Sequence, residues 1–268
     1  MDIIVLIGFA AAILIGISLG LIGGGGSILT VPVLVYILEV DPVLATAYSL
    51  FVVGSTSLVG SITYMQKKLV DYKTAFVFAI PSFVAVFLTR KFLVPALPDP
   101  LFTITGFEIS KNVGIMVFFA IIMLAVSISM IAGKKCKDCD ENEPVRFNFP
   151  MIALEGSIVG VITGIVGAGG GFLIIPALVI LARLPMKMAV GTSLLIIAAK
   201  SLIGFLGDLS TQTIDWNMIL IFTGLSIIGI FIGSALSKKV NEKILKTGFG
   251  WFVLAMGIYI ITKELMSV

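Results

Sequence analysis

The chain of 268 residues contains no histidine. Histidine-based metal sites, Ser-His-Asp and Cys-His catalysis and histidine proton relays are therefore excluded. Cysteine is nearly absent too, with only Cys136 and Cys139 in KKCKDCDE. A single C-x-x-C without a second pair or a histidine cannot complete a four-ligand zinc site in one chain, and it reads as two thiols in a solvated loop. Charge is scarce: Asp, Glu, Lys and Arg make up 12% of the residues, 59% are hydrophobic and mean hydropathy is +1.17. Soluble domains carry about 25% charged residues, so water is not the main solvent of this chain. The net charge of +3 comes from Lys and Arg at the flanks of apolar segments. They form no basic face, which excludes nucleic acid as a partner. The start MDIIVLIGFA has no basic n-region and runs on past the length of an h-region, so no cleavable signal peptide is expected.

What the chain has in abundance is apolar sequence, in segments 3–22, 27–38, 43–65, 73–89, 112–132, 150–166, 172–182, 186–207, 217–236 and 244–262. The longer ones have the roughly 20 residues that a helix needs to cross a bilayer. The stretch GKKCKDCDENEPVRFN is the longest polar run and lies at the centre. It divides the chain into a first membrane repeat (1–132), a linker (133–149) and a second membrane repeat (150–268).

Shifting the sequence by 144 residues without a gap lays LIGGGGSILTVPVLV (Leu21 to Val35) on IVGAGGGFLIIPALV (Ile165 to Val179). Identities continue at Gly16/Gly160, Gly20/Gly164, Ala45/Ala189, Ser49/Ser193, Leu50/Leu194, Ser57/Ser201, Gly60/Gly204 and Asp71/Asp215. Lys and Arg near span ends mark the cytoplasmic side, and here they alternate between the copies. EVDP (Glu39 to Pro42) has no base, but its counterpart RLPMK (Arg183 to Lys187) has two. QKKLVDYK (Gln66 to Lys73) is basic, whereas DLSTQTID (Asp208 to Asp215) is not. Opposite sidedness of matched loops predicts an inverted-topology repeat, a plan common among secondary transporters. The expected fold is an all-α polytopic membrane protein of two such repeats, each a broken or re-entrant helical hairpin plus three transmembrane helices. This threading puts Cys136 and Cys139 in the cytoplasm and both termini outside, and it leaves Arg90 and Lys91 on the outer side against the charge rule.

Each hairpin has its tip at a glycine run, GGGG (Gly23 to Gly26) or GAGGG (Gly167 to Gly171), and a returning arm of about 12 residues, roughly 18 Å long. That is too short to cross alone, so the tip is expected at depth, where irregular backbone is tolerated only if buried or lining a cavity. Glycines let consecutive N–H groups face one spot, and a helix N-terminus following them favours an anion. The alternative use of glycine is close helix packing, the role expected for Gly16, Gly20, Gly160 and Gly164. Candidate substrate-binding residues are Gly23, Gly24, Gly25, Gly26, Ser27, Ser49, Gly167, Gly169, Gly170, Gly171, Thr192, Ser193 and Lys200. Ser55, Ser57 and Ser61 are expected to bond back to their own helix. Lys200 stands where the first copy has neutral Thr56, and an ammonium in mid-span needs a cavity or a partner. Glu155 is the comparable buried carboxylate.

The paired glycine-rich and P-x-L motifs, followed by ATAYSL (Ala45 to Leu50) and AVGTSL (Ala189 to Leu194), resemble the TauE/SafE sulfite exporter family along nearly the whole chain. Tyr48 in the first copy replaces a small residue, making the half-sites unequal. The resemblance implies a multi-pass cell-membrane permease for small anions such as sulfite, sulfonates or related organosulfur acids. The expected activity is a secondary carrier working by alternating access, with a proton or sodium as coupling ion and no cofactor or metal. An anion channel using the same hairpins is the alternative. No base–nucleophile pair supports an enzyme, and no Walker motif supports nucleotide-driven pumping.

Overall fold

The computed structural model of the protein describes residues 3–104, 107–132, 149–167, 169–171, 174–175, 178, 184–209, 212–236 and 242–267. Cys136 and Cys139 in the linker, and Pro176 in the second returning arm, lie outside the described residues. Among those described, nine helices of seven residues or more follow in order: α1 (Ile3–Ile22), α2 (Thr30–Tyr36), α3 (Pro42–Gln66), α4 (Tyr72–Leu88), α5 (Lys111–Ala132), α6 (Phe149–Val166), α7 (Met186–Asp208), α8 (Trp216–Leu236) and α9 (Glu242–Ser267). Five stretches are long and apolar enough to span a bilayer: Pro42–Gln66, Tyr72–Ala96, Lys111–Ile128, Lys187–Asp208 and Trp216–Leu236. Their outward faces are apolar as well, with Phe76, Ile128 and Leu220 exposed, as are Leu14 on α1 and Leu154 on α6. Exposed side chains of this kind suit a hydrocarbon solvent and no aqueous one.

Carboxylates start the helices that follow short loops. Asp41 accepts the N–H groups of Val43 and Leu44 at 2.9 and 3.3 Å, with Pro42 opening the first turn of α3. Asp71 accepts from Thr74 N at 3.3 Å, and Asp215 from Asn217 N and Met218 N at 3.0 and 3.2 Å. Each satisfies donors that the helix itself leaves open and places negative charge at the positive dipole end.

At the centre α3 packs on α7, while α4 lies between α6 and α7 and α8 lies between α1 and α3; α5 pairs with α9. These contacts recur when residue numbers are shifted by 144. Gly16 abuts Ser226 and Gly229, and Gly160 abuts Ser82 and Ala85. Gly60 meets Ile230 and Leu194, and Gly204 meets Val86 and Leu50. The Asp71 N–H donates to Thr192 Oγ1 at 2.9 Å, and the Asp215 N–H donates to Tyr48 Oη at 2.8 Å. Gly16, Gly20, Gly160 and Gly164 have the expected packing role: a Cβ on Gly20 would stand 2.6 Å from Ser234 N, and one on Gly164 2.7 Å from Thr89 Cβ. Helices approach this closely in a membrane because dispersion contacts and small residues drive their association.

Two features depart from the sequence reading. The segment expected at 73–89 continues beyond α4 through a π-helical turn, Thr89–Leu93, and a further turn to Ala96. Arg90 is thereby part of a helix and packed inside the bundle; it is buried and its Nε lies 3.2 Å from Asp208 Oδ2, while Lys91 is exposed. The connection to α5 carries two short antiparallel strands, Phe102–Ile104 and Phe107–Ile109, pairing Phe102 with Ile109 and Ile104 with Phe107. Their alternating Phe-Thr-Ile and Phe-Glu-Ile sequences fit a pleat, and Asp99 Oδ1 accepts the Lys111 N–H at 3.1 Å beside them.

Candidate anion site at the glycine tips

The first hairpin turns at Gly23, whose φ of +75° lies in the left-handed region. A 3-10 stretch, Gly24–Leu29, leads directly into α2, so the returning arm starts in the tighter helical form. The arm folds back on α1: a Cβ on Gly26 would lie 2.8 Å from Ile15 O. In the second hairpin Gly167, Gly169 and Gly170 have φ of +70°, +64° and +66°. Side chains are strained in that conformation, which explains glycine at these positions.

The two tips meet. A Cβ on Gly24 would overlap the Cα of Gly171, and one on Gly171 would overlap the Cα of Gly24. Each tip also reaches into the other half. Gly23 faces Val190 and Ser193, while Gly167 faces Thr46, the position matching Val190 under the 144-residue shift. Gly169 sits between Val53 of α3 and Ile197 of α7, with Ser201 Oγ 3.4 Å from where its Cβ would be.

Helical spacing explains how α3 and α7 line the tips. Ser49, Val53 and Ser57 recur every four residues on one face of α3, and Ser193, Ile197 and Ser201 do so on α7. The hydroxyls of Ser49, Thr56, Ser57 and Ser201 are buried without a hydrogen-bond partner among the described residues. Such groups lose hydration on folding and gain nothing back unless a ligand or water meets them.

Lys200 is fully buried, and its Nζ donates to Thr163 Oγ1 of α6 at 3.1 Å. The same Nζ is 2.6 Å from the position a Cβ on Gly170 would take, so the ammonium rests against the second tip. Thr163 in turn donates to Gly160 O at 3.2 Å. The residues 144 positions before Lys200 and Thr163 are Thr56 and Leu19, neither of them charged.

Not every candidate converges. Ser27 donates to Gly24 O at 2.7 Å and Ser193 to Val190 O at 2.8 Å, both tying backbone close to the tips. Thr192 accepts the Asp71 N–H and anchors the loop before α4, as Tyr48 does for Asp215. The Tyr48-for-Thr192 difference thus concerns two equivalent cross-half anchors. Gly25 lies within the 3-10 stretch. Glu155 is only partly buried. Ser61 bonds back to Leu58 O at 2.8 Å as expected, but Ser57 does not. Thr56, Ser57 and Ser201 are absent from the sequence candidates; for Ser57 and Ser201 their identity under the 144-residue shift was the available signal. Among the described residues no group of three or more Asp, Glu or Cys side chains could hold a metal ion.

The arrangement brings the Lys200 ammonium and the Ser201 hydroxyl against the left-handed backbone of Gly169 and Gly170, where Gly24 and Gly171 meet. A model of the family "Sulfite exporter TauE/SafE" matches residues 8–260. A protein of Xylella fastidiosa (strain 9a5c) named "Probable membrane transporter protein" is 29% identical over 258 residues, covering 95% of this chain and 94% of its own. "Probable membrane transporter protein YunE" of Bacillus subtilis (strain 168) is 27% identical over 286 residues, covering 97% and 99%. No solved structure matches the chain significantly. With a match spanning nearly all of its apolar segments, the chain belongs to the TauE/SafE sulfite exporter family of multi-pass membrane transporters.

Proposed function

We propose that the protein is a secondary transporter of small oxyanions, sulfite or organosulfur acids, which holds its substrate between the two glycine tips. The observation that carries this reading is the set of unpartnered, buried hydroxyls of Ser49, Thr56, Ser57 and Ser201 on the helices lining the tips, with Lys200 Nζ against Gly170. Donors and a cation that has no ion-pair partner among the described residues suit an anion. The family description, which names sulfite, supports the substrate class.

The two halves act as inverted repeats. Support comes from contacts that pair under the 144-residue shift, above all Asp71 with Thr192 and Asp215 with Tyr48. Because each half closes on the other through matching helices, rocking one half against the other exposes the tips alternately to either side. Lys200 partly neutralises the substrate, and the hydroxyls replace its lost water.

The test is counterflow in proteoliposomes with radiolabelled sulfite. A carrier accelerates uptake when unlabelled sulfite is loaded on the far side. Flux indifferent to far-side sulfite identifies a channel, and absence of flux for sulfite, sulfoacetate and methanesulfonate refutes the anion site.

A further inference from the structure

We propose that Arg90 forms a second oxyanion site beside the second glycine tip, on the route between that tip and the membrane face at which α7 ends. This rests on the proposed function in so far as the ligand is the same class of oxyanion. Arg90 has no exposed surface, and its Nη1 and Nη2 have no hydrogen-bond partner among the described residues. Asp208 Oδ2 lies 3.2 Å from Nε, and no hydrogen bond among the described residues reaches the Nη1/Nη2 edge of the guanidinium. That edge is a planar fork of N–H donors whose spacing suits two oxygens of one sulfonate, sulfite or carboxylate group.

A purely structural ion pair does not account for these features. Buried pairs are tolerated when their donors are satisfied, and here none of the three guanidinium nitrogens makes a hydrogen bond among the described residues, the Nε contact with Asp208 being an ion pair alone. The helix crossing does not need the charges either. Shifted by 144 residues, Arg90 corresponds to Ser234 and Asp208 to Tyr64, so the matching crossing of α8 on α3 uses neutral residues. Arg90 also lies in the π-helical turn Thr89–Leu93, an irregularity often found where a helix serves a site.

The turn packs close to the second glycine tip. Thr89 packs on Gly164, three residues before the tip glycine Gly167, and Arg90 Cβ lies 3.0 Å from where a Cβ on Gly207 would stand. Asp208 ends α7, eight residues after Lys200, about 12 Å along the helix at 1.5 Å per residue. An anion leaving or reaching Lys200 through that face passes Arg90. Asp208 holds the guanidinium between visits and competes with the incoming oxyanion for it.

Competition makes the two partners opposite in effect, and that is the test. Sulfite transport is measured in vesicles of known orientation, with sulfite varied on one face at a time, for wild type, Arg90→Gln, Asp208→Asn and the double variant. The expected result is a KM raised about tenfold by Arg90→Gln and lowered by Asp208→Asn, both only on the face where α7 ends. The double variant, which keeps the pair neutral and guards against misfolding of either single change, should resemble Arg90→Gln. Variants that shift KM in the same direction, or alike on both faces, or not at all, overturn the second site while leaving sulfite transport standing. A wild-type protein that neither binds nor moves sulfite overturns both readings.

Discussion

Replacing Lys200 by methionine tests whether the ammonium at the second tip neutralises substrate. The substitution removes the charge and keeps a chain of similar length. An anion about 4 Å from Nζ interacts with it by roughly 4 kcal/mol at an effective dielectric constant of 20, and a dianion by roughly twice that. The difference, about 4 kcal/mol, corresponds to nearly a thousandfold in affinity and is an upper figure, since substrate and protein relax. Methanesulfonate and sulfoacetate provide the monoanion and the dianion. Lys200→Met should lower kcat/KM for sulfoacetate at least tenfold more than for methanesulfonate in proteoliposome uptake. Lys200→Arg should restore it only in part, because the guanidinium is larger and planar. Folding should survive: Thr163 keeps its bond to Gly160 O, and removing a fully buried ammonium is neutral or stabilising. Equal loss for the two anions would make Lys200 a structural residue, and no loss would remove it from the site.

Gly24→Ala and Gly171→Ala should each abolish sulfite transport and destabilise by about 1–3 kcal/mol, because the new methyl meets the opposite tip's backbone. Gly224→Ala, with nothing within 4 Å, serves as the control and should keep full transport and thermal stability. Tyr48→Phe and Thr192→Val should each lower stability by about 1 kcal/mol, read from thermal unfolding in detergent, since each leaves one backbone N–H without its acceptor. An impermeant thiol reagent should label Cys136 and Cys139 only after cells are permeabilised; labelling of intact cells would reverse the orientation.

The apolar solvent and the boundaries of several segments were legible in the sequence alone. The expected segments 43–65, 186–207 and 217–236 differ from α3, α7 and α8 by no more than one residue at either end. Bilayer thickness and backbone hydrogen bonding act on contiguous residues, so a linear reading captures them. The packing glycines were legible for the same reason, their spacing of four being one helix face. Hydrogen-bond partners were not. Thr192 is held by Asp71 across 121 residues and Tyr48 by Asp215 across 167, and only the crossing of helices from different halves decides such pairings. The burial of Arg90 was not legible, because the turn that carries it inward depends on packing of Thr89 against Gly164 and of Arg90 against Gly207. Ser57 and Ser61, four residues apart in one helix, differ because one bonds to its own backbone and the other is buried with no partner. Which polar group remains open to a ligand depends on what neighbouring helices supply, and that is a property of the tertiary structure.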